Sequence, residues 1–185
     1  MESRFGIVEG VIRTRVGYAG GLKDAPTYRS MGDHTETVQV DFDPARITYS
    51  QLLDIFWEEH TPTRQSFSQQ YMNAVFFHND EQQKLAMASK SAMEKKLGKT
   101  IKSAVKALNA FTMAEDYHQK YLLKGHPLIH DIKRVYPNHD DLVNSRAAAR
   151  LNGYAGRYGS SEQINRDMDN LGLSEHGKEL LSRLQ

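Results

Sequence analysis

The stretch that most restricts what this chain can fold into is Gly32 to Phe42, GDHTETVQVDF, because its apolar residues recur with the period of a strand. Val38, Val40 and Phe42 share one face, while Thr35, Thr37, Gln39 and Asp41 share the other, the pattern of a half-buried strand. Glu36 has the parity of the apolar face. A carboxyl group drawn inward loses hydration, its pKa rises, and near neutral pH it holds a proton to give away. That is the behaviour of a general acid. The same position also suits a glutamate at the first turn of a strand that stays wet or pairs with one of the many Arg and Lys side chains.

At 185 residues the expectation is one domain with a terminal appendage. The formal charge is +1, which exerts no general pull toward nucleic acid or anionic membrane. No apolar run approaches the roughly 20 residues that span a bilayer, and the N-terminus lacks the apolar core of a signal peptide, so a cytoplasmic, soluble chain is expected. The sequence contains no cysteine. Disulfides, thiolate metal sites and a cysteine nucleophile are thereby excluded within the chain as written.

In chain order, Glu2 to Val8 reads as the end of an amphipathic helix, with a turn at Gly10, and Val11 to Tyr18 as a strand with Ile12, Thr14, Val16 and Tyr18 on one face. Ala19 to Met31 is a Gly/Pro loop. Thr48 or Ser50 caps a helix to about His60 whose inward face holds Leu52, Ile55, Phe56 and Glu59, widened by Leu53 and Trp57. Tyr71 to Phe77 reads as a buried strand, and Asn79 and Gln82 as the capping box of a helix ending near Gly98 with Leu85, Ala88, Ala92 and Leu97 inward. Lys102 to Leu108 alternates weakly as a strand, and Ala114 to Lys124 suits a helix with Tyr117, Tyr121 and Leu122 at adjoining turns. Beyond Pro137 a helix over Asp140 to Leu151, a linker over Asn152 to Ser161 and a short helix over Ser174 to Leu184 are expected. The order implies an α+β fold, a mostly antiparallel sheet with helices on one side: residues 1–135 form the α+β domain and 136–185 a helical extension.

Four polar groups can converge if the loops meet: Tyr18, Tyr28, Glu36 and Tyr71. Phenols donate to a developing oxyanion and a neutral glutamate protonates it, although each tyrosine equally suits plain packing. Metal chemistry has little support among the eight histidines. Glu115 and His118 give Glu-x-x-His only once, and Pro127 separates His126 from His130. No Gly-x-Ser-x-Gly elbow or phosphate loop occurs.

GYAGG at Gly17 to Gly21, PTY at Pro26 to Tyr28, GDHTE at Gly32 to Glu36, LLDIFWEEHTPT at Leu52 to Thr63, QY at Gln70 and Tyr71, and AEDYHQKY at Ala114 to Tyr121 together resemble the peptide methionine sulfoxide reductase A family. The resemblance covers about Glu2 to Lys124. It implies a ferredoxin-like α+β fold and reduction of the S epimer of methionine sulfoxide, free or in proteins, by a cysteine in a Gly-Cys-Phe-Trp-Gly motif. By the same resemblance Glu36 matches the acid that protonates the sulfoxide oxygen, and Tyr28 and Tyr71 match the hydroxyls that polarise it. No bound cofactor is implied; thioredoxin or another thiol serves as external reductant.

The departures bear on activity. Met1, Glu2 and Phe5 stand where relatives continue directly after the cysteine motif, so the chain is read as beginning just past it, with Met1 an internal methionine of a longer product. The nucleophile, the Phe/Trp wall of the methyl pocket and a preceding central strand are expected to be missing. HPLIHDIKR replaces the Gly-Tyr-Cys stretch of many relatives, and Ser66 stands where many carry Asp. The expectation is a reductase by family with little or no activity as this polypeptide. The alternative is a non-catalytic module that binds methionine sulfoxide or a protein partner.

Overall fold

The computed structural model describes residues 1–184. Its elements are α1 (Glu2–Gly6), β1 (Val11–Ala19), β2 (Thr35–Phe42), α2 (Tyr49–Glu58), β3 (Ala74–Phe77), α3 (Asp80–Leu97), β4 (Ala104–Ala107) and β5 (Phe111–Met113). The helices α4 (Tyr121–Lys124), α5 (Ile129–Val135), α6 (His139–Asn144), α7 (Arg146–Ala155), α8 (Ser161–Asp167) and α9 (Glu175–Ser182) follow. This is an α+β fold. Strand order is β2-β1-β5 in one sheet and β3-β4 in another. The chain divides into two compact units, one made of Met1–Val16, Val38–Arg46 and the chain from Glu115 onward, the other of Gly17–Thr37 and Ile47–Ala114.

In the first unit a carboxylate and an ammonium are buried together. Glu2 is 8% exposed and Lys120 not at all. Lys120 Nζ donates to Glu2 Oε1 and to the Thr14 carbonyl, each at 2.6 Å, and the Lys120 backbone N–H donates to Glu2 Oε2 at 3.0 Å. Thr14 Oγ1 adds a bond to Oε1 at 3.1 Å. Burial pulls the Lys120 pKa down, and Glu2 opposes that pull. Lys120 itself has a left-handed φ of 52°. The expected helix over Ala114 to Lys124 is accordingly broken into a 3-10 turn, Asp116–His118, and the short α4. Its aromatic residues do not face inward. Tyr117 and Tyr121 are 55% and 68% exposed, while Gln119 and Lys120 are buried. Gln119 has been drawn inside to serve as a strand neighbour: its amide accepts from Val16 N–H at 2.9 Å and donates to Val16 O at 2.8 Å.

The core of this unit gathers Ile7, Leu123, Leu128, Ile132, Leu151, Ile164 and Leu181 with their neighbours, so the C-terminal helices build their own apolar centre. The expected linker over Asn152 to Ser161 is instead helical up to Ala155. Gly153 explains the continuation. A Cβ there would lie 2.8 Å from Ile7 Cβ and 2.9 Å from Ser3 O, so glycine lets α7 press against α1. Ser145 separates α6 from α7 within the span expected as one helix, its hydroxyl accepting from Ala148 N–H at 3.0 Å as an N-cap. At the start of the sheet Asp43 N–H donates to Gly10 O at 2.8 Å, Arg13 pairs with Asp41 and Arg15 with Gln39. One index rises as the other falls, which makes β1 and β2 antiparallel. Val11, Thr14, Gly17, Tyr18 and Ala19 are the buried residues of β1, and Ile12, expected inward, is 46% exposed.

In the second unit Thr48 caps α2 in a capping box with Gln51, as its spacing requires. Leu52, Leu53, Phe56 and Trp57 are its buried face, and Trp57 Nε1 donates to Ser89 Oγ on α3 at 2.5 Å. α3 begins at Asn79, whose side chain accepts from Gln82 N–H, and ends at Gly98 with a left-handed φ of 61°. Its inward face is Ala86 with Leu85 and Ser89, one step round from the expected Ala88, Ala92 and Leu97, all of which are exposed. β3 is shorter than expected because Gln69–Tyr71 forms a 3-10 turn. β3 and β4 pair in parallel, Ala74 opposite Ala104 and Phe77 opposite Ala107, with α3 as the crossover. β5 pairs antiparallel with the end of β1, Gly17 opposite Met113.

His60 closes α2 through two bonds, Nδ1 to the Phe56 carbonyl at 2.8 Å and Nε2 with the Ser103 hydroxyl at 2.7 Å. Those partners suit a neutral ring with the proton on Nδ1, and burial holds the His60 pKa below its ordinary value.

Two measurements follow from these contacts. Lys120→Met strands the buried Glu2 carboxylate and should lower the unfolding free energy by about 3–5 kcal/mol in urea titrations, most of it recovered in the Glu2→Gln/Lys120→Met double variant. A single-variant loss below about 1 kcal/mol would show the pair to be expendable. For His60 the folded pKa lies below the unfolded value of about 6.5, so the unfolded state binds more protons between the two. Its contribution should be full above about pH 6.5 and fall away as pH drops through that value, and His60→Gln should flatten this part of the profile.

Candidate active site

The second unit brings together residues from separate stretches of chain. Tyr28 sits on the tight turn Thr27 to Ser30, closed by Ser30 N–H to Thr27 O at 3.0 Å. The loop carrying that turn is fastened at its base. Asp33 accepts from the Leu22 and Lys23 backbone N–H groups at 2.9 and 3.2 Å, which hold its carboxyl below the usual carboxylate range. His34, 3% exposed, accepts from Gly21 N–H at Nδ1 and reaches Lys23 O with Nε2 at 2.9 Å. These partners assign the Nε2–H tautomer and make His34 a staple of the loop. Gly20 is required where the loop leaves β1: its φ is 81°, and a Cβ would stand 2.4 Å from the Phe76 ring.

The other half of the site is the 3-10 turn Gln69–Tyr71. Thr35, 2% exposed at the head of β2, donates from Oγ1 to Gln69 O at 2.9 Å and draws that turn against the strand. Thr35 therefore holds the inward position, and Glu36 points the opposite way and is exposed. This corrects the parity argument, which set Glu36 with the apolar face; Val38, Val40 and Phe42 are themselves only half-buried. At its exposed position Glu36 has a specific partner. Gln70 Nε2 donates to Glu36 Oε1 at 2.7 Å and to the Tyr71 hydroxyl at 3.1 Å. Tyr71 is also hydrogen-bonded with Tyr28, and that bond, chiefly, raises the Tyr71 pKa, so its phenol stays protonated at neutral pH.

Glu36, Gln70, Tyr71 and Tyr28 thus form one chain of polar contacts. Tyr28 is 38% and Tyr71 53% exposed, so the group lies at the surface and not in the core. Tyr18, by contrast, is buried. It lies on the strand segment paired with β5 and is 1% exposed. Gln70 is the residue whose contribution could not be read from spacing. Its only sequence cue is that it precedes Tyr71, and a 3-10 turn is what directs both side chains toward the same carboxylate. Ser66 works locally, accepting from Ser68 N–H at 3.1 Å, and Gln65 ties the same loop to Asn73 and Lys102 carbonyls at 3.0 and 3.2 Å.

Among the described residues no three His, Asp or Glu side chains gather as a metal-binding group, and no helix is long and apolar enough to cross a membrane. Chemically, the arrangement sets two phenol hydroxyls and a carboxyl group side by side, suited to hydrogen-bonding a polar oxygen.

The family profile described as "Peptide methionine sulfoxide reductase" matches residues 1–150, and the one described as "Selenoprotein methionine sulfoxide reductase A, helical domain" matches residues 137–183. A peptide methionine sulfoxide reductase of Drosophila melanogaster is 40% identical over 94% of this chain and 70% of its own length. The A5 enzyme of Arabidopsis thaliana is 43% identical, over 83% of this chain and 63% of the relative. Among solved structures, methionine sulfoxide reductase A of Corynebacterium diphtheriae superposes with a TM-score of 0.62 at 33% identity, covering 66% of this chain and 68% of that one. The reduced form of Mxr1 from Saccharomyces cerevisiae gives 0.57 at 32% identity, covering 60% and 70%. The chain spans about two thirds of the length of these relatives. With a profile matched over most of its length and a relative 40% identical over nearly all of it, the chain belongs to the peptide methionine sulfoxide reductase family of oxidoreductases.

Proposed function

We propose that this chain carries the sulfoxide-binding and proton-donating part of a peptide-methionine (S)-S-oxide reductase, and that it does not complete the reaction with its own residues. The observation that supports the reading is the convergence of Tyr28, Glu36 and Tyr71 through Gln70. In this reading Tyr28 and Tyr71 donate to the sulfoxide oxygen, and Glu36 supplies the proton that the oxygen takes up. A thiolate attacks sulfur, the oxygen passes to it as the S–O bond breaks, and methionine leaves a sulfenic acid behind; two further thiols then reduce the sulfenic acid to the thiol, releasing water and being oxidised to a disulfide. The chain has no cysteine, so that electron pair must come from a sulfur, or a selenium, that is not among these residues.

The wider assignment follows the same reading: repair of oxidised methionine, free or in proteins, with thioredoxin or another thiol as reductant, in a reducing compartment such as the cytoplasm. Residues 1–135 would be the reductase-like part and 136–185 a helical extension, which overlaps the helical-domain match at 137–183. The second reading is a pure binder of oxidised methionine. What favours it is the lack of any cysteine beside an otherwise assembled polar group.

Calorimetry separates binding from turnover. A peptide containing methionine S-sulfoxide should bind measurably tighter than its unoxidised counterpart, and Tyr28→Phe/Tyr71→Phe should lose roughly tenfold or more of that preference, since each lost hydrogen bond is worth about 0.5–1.5 kcal/mol. Equal affinity for the two peptides would remove the sulfoxide assignment. In a thioredoxin- or dithiothreitol-coupled assay the chain alone should stay at the no-enzyme rate, and turnover clearly above it would overturn the claim that the nucleophile lies elsewhere. Reading the transcript upstream of the Met1 codon for a Gly-Cys-Phe-Trp-Gly run, or the same run with selenocysteine in second place, identifies that nucleophile directly.

A further inference from the structure

In the first unit, a groove of about 290 Å³ is lined by Ile12, Phe42, Asp43, Pro44, Arg46 and Arg146 together with Gly10 and Val11. We propose that this groove docks an acidic segment of a partner protein, one that places an apolar side chain on Ile12 and Phe42 and a carboxylate between Arg46 and Arg146.

The apolar floor is unusual in its exposure. Ile12 sits within a paired strand yet is 46% exposed. A branched aliphatic side chain left open beside Phe42 and Pro44 is a surface that gains by being covered. Charge adds to this. Glu9 is the carboxylate that serves this region, and it is shared four ways. Arg46 and Arg146 approach its Oε2 at 3.2 and 3.5 Å, and Arg166 and Arg150 approach its Oε1 at 2.5 and 3.4 Å. Asp43 is turned into its own loop, where Oδ1 accepts from Ala45 N–H at 2.9 Å.

Each guanidinium carries five N–H donors in a planar fork that matches a carboxylate two bonds at a time. Among the described residues, Arg46 and Arg146 each find one long contact to one shared oxygen, and they are 52% and 45% exposed. Each guanidinium therefore keeps donors beyond its single contact with Glu9, beside an apolar groove. A carboxylate arriving there completes the fork without displacing Glu9, and an adjoining Leu or Phe fills the space over Ile12. A basic or purely apolar segment satisfies only one of these demands.

The test uses fluorescence anisotropy with the full chain and a short labelled peptide alternating Asp and Glu with Leu and Phe. Control peptides replace the acids by Asn and Gln, or by Lys. Saturable binding of the acidic peptide, at least roughly tenfold weaker for the amide form and weakening as salt rises, is expected. R46E/R146E should weaken it by about tenfold or more and Ile12→Ser severalfold, each variant keeping the wild-type circular dichroism. If R46E/R146E fails to fold, Arg146→Gln together with Ile12→Ser is read instead, with the same expected direction. Equal binding of the acidic and amide peptides, unchanged binding by the folded variants, or tighter binding of heparin than of the peptide at the same site would each overturn the proposal, the last because it would mark a general polyanion surface.

Discussion

Glu2 and Lys120 are charged side chains with almost no access to water, and such a pair persists only where the lost hydration is replaced bond for bond. Here it is. Both oxygens of Glu2 are engaged, by Lys120, by Thr14 and, at 3.5 Å, by Asn152, while Lys120 also caps the Thr14 carbonyl. Those partners come from α1, β1, the residue before α4, and α7. The pair therefore fixes four elements of the first unit to one point. Asn152 extends the network by accepting from Leu123 N–H at 3.0 Å, and Gln119 holds Val16 from the neighbouring position. A polar centre of this kind specifies geometry more sharply than apolar packing, because a shift of one residue would leave a charge unpaired.

The second unit is organised by a different device, the use of backbone-directed side chains to set a loop. Asp33 and His34 hold the stretch that carries Tyr28, and Thr35 pulls in the turn that carries Gln70 and Tyr71. Three consecutive residues, 33 to 35, thus position both halves of the polar group, and Glu36 follows them directly in the chain. The GDHTE motif reads in this light as a positioning segment as much as an acid-bearing one. Its exposed glutamate is oriented by Gln70, and the family relationship supplies the chemistry that such an oriented group would serve.

Much of the local structure was legible before any coordinates. The caps at Thr48 and Asn79 and the left-handed stop at Gly98 depend on contacts within a few residues, and the structure places them there. Where the expectations failed, the deciding contact was distant in sequence. The helix over Ala114 to Lys124 was broken because Lys120 is bonded to Glu2, 118 positions away. The linker after Asn152 became helix because Gly153 meets Ile7. Glu36 faced outward because Thr35 had a partner in Gln69, which alternation along the strand cannot reveal.

The sequence by itself determined the α+β class, the family and the absence of cysteine, and it singled out Tyr28, Glu36 and Tyr71 as candidates, since each depends only on which residues occur and in what order. Tertiary structure alone decided that these three meet, that Gln70 is what joins them, and which arginines share Glu9. The reason is physical. Periodicity reports which face of an element is apolar, but a buried or bridging polar group is placed by its hydrogen-bond partner, and that partner comes from whatever part of the chain folding brings alongside.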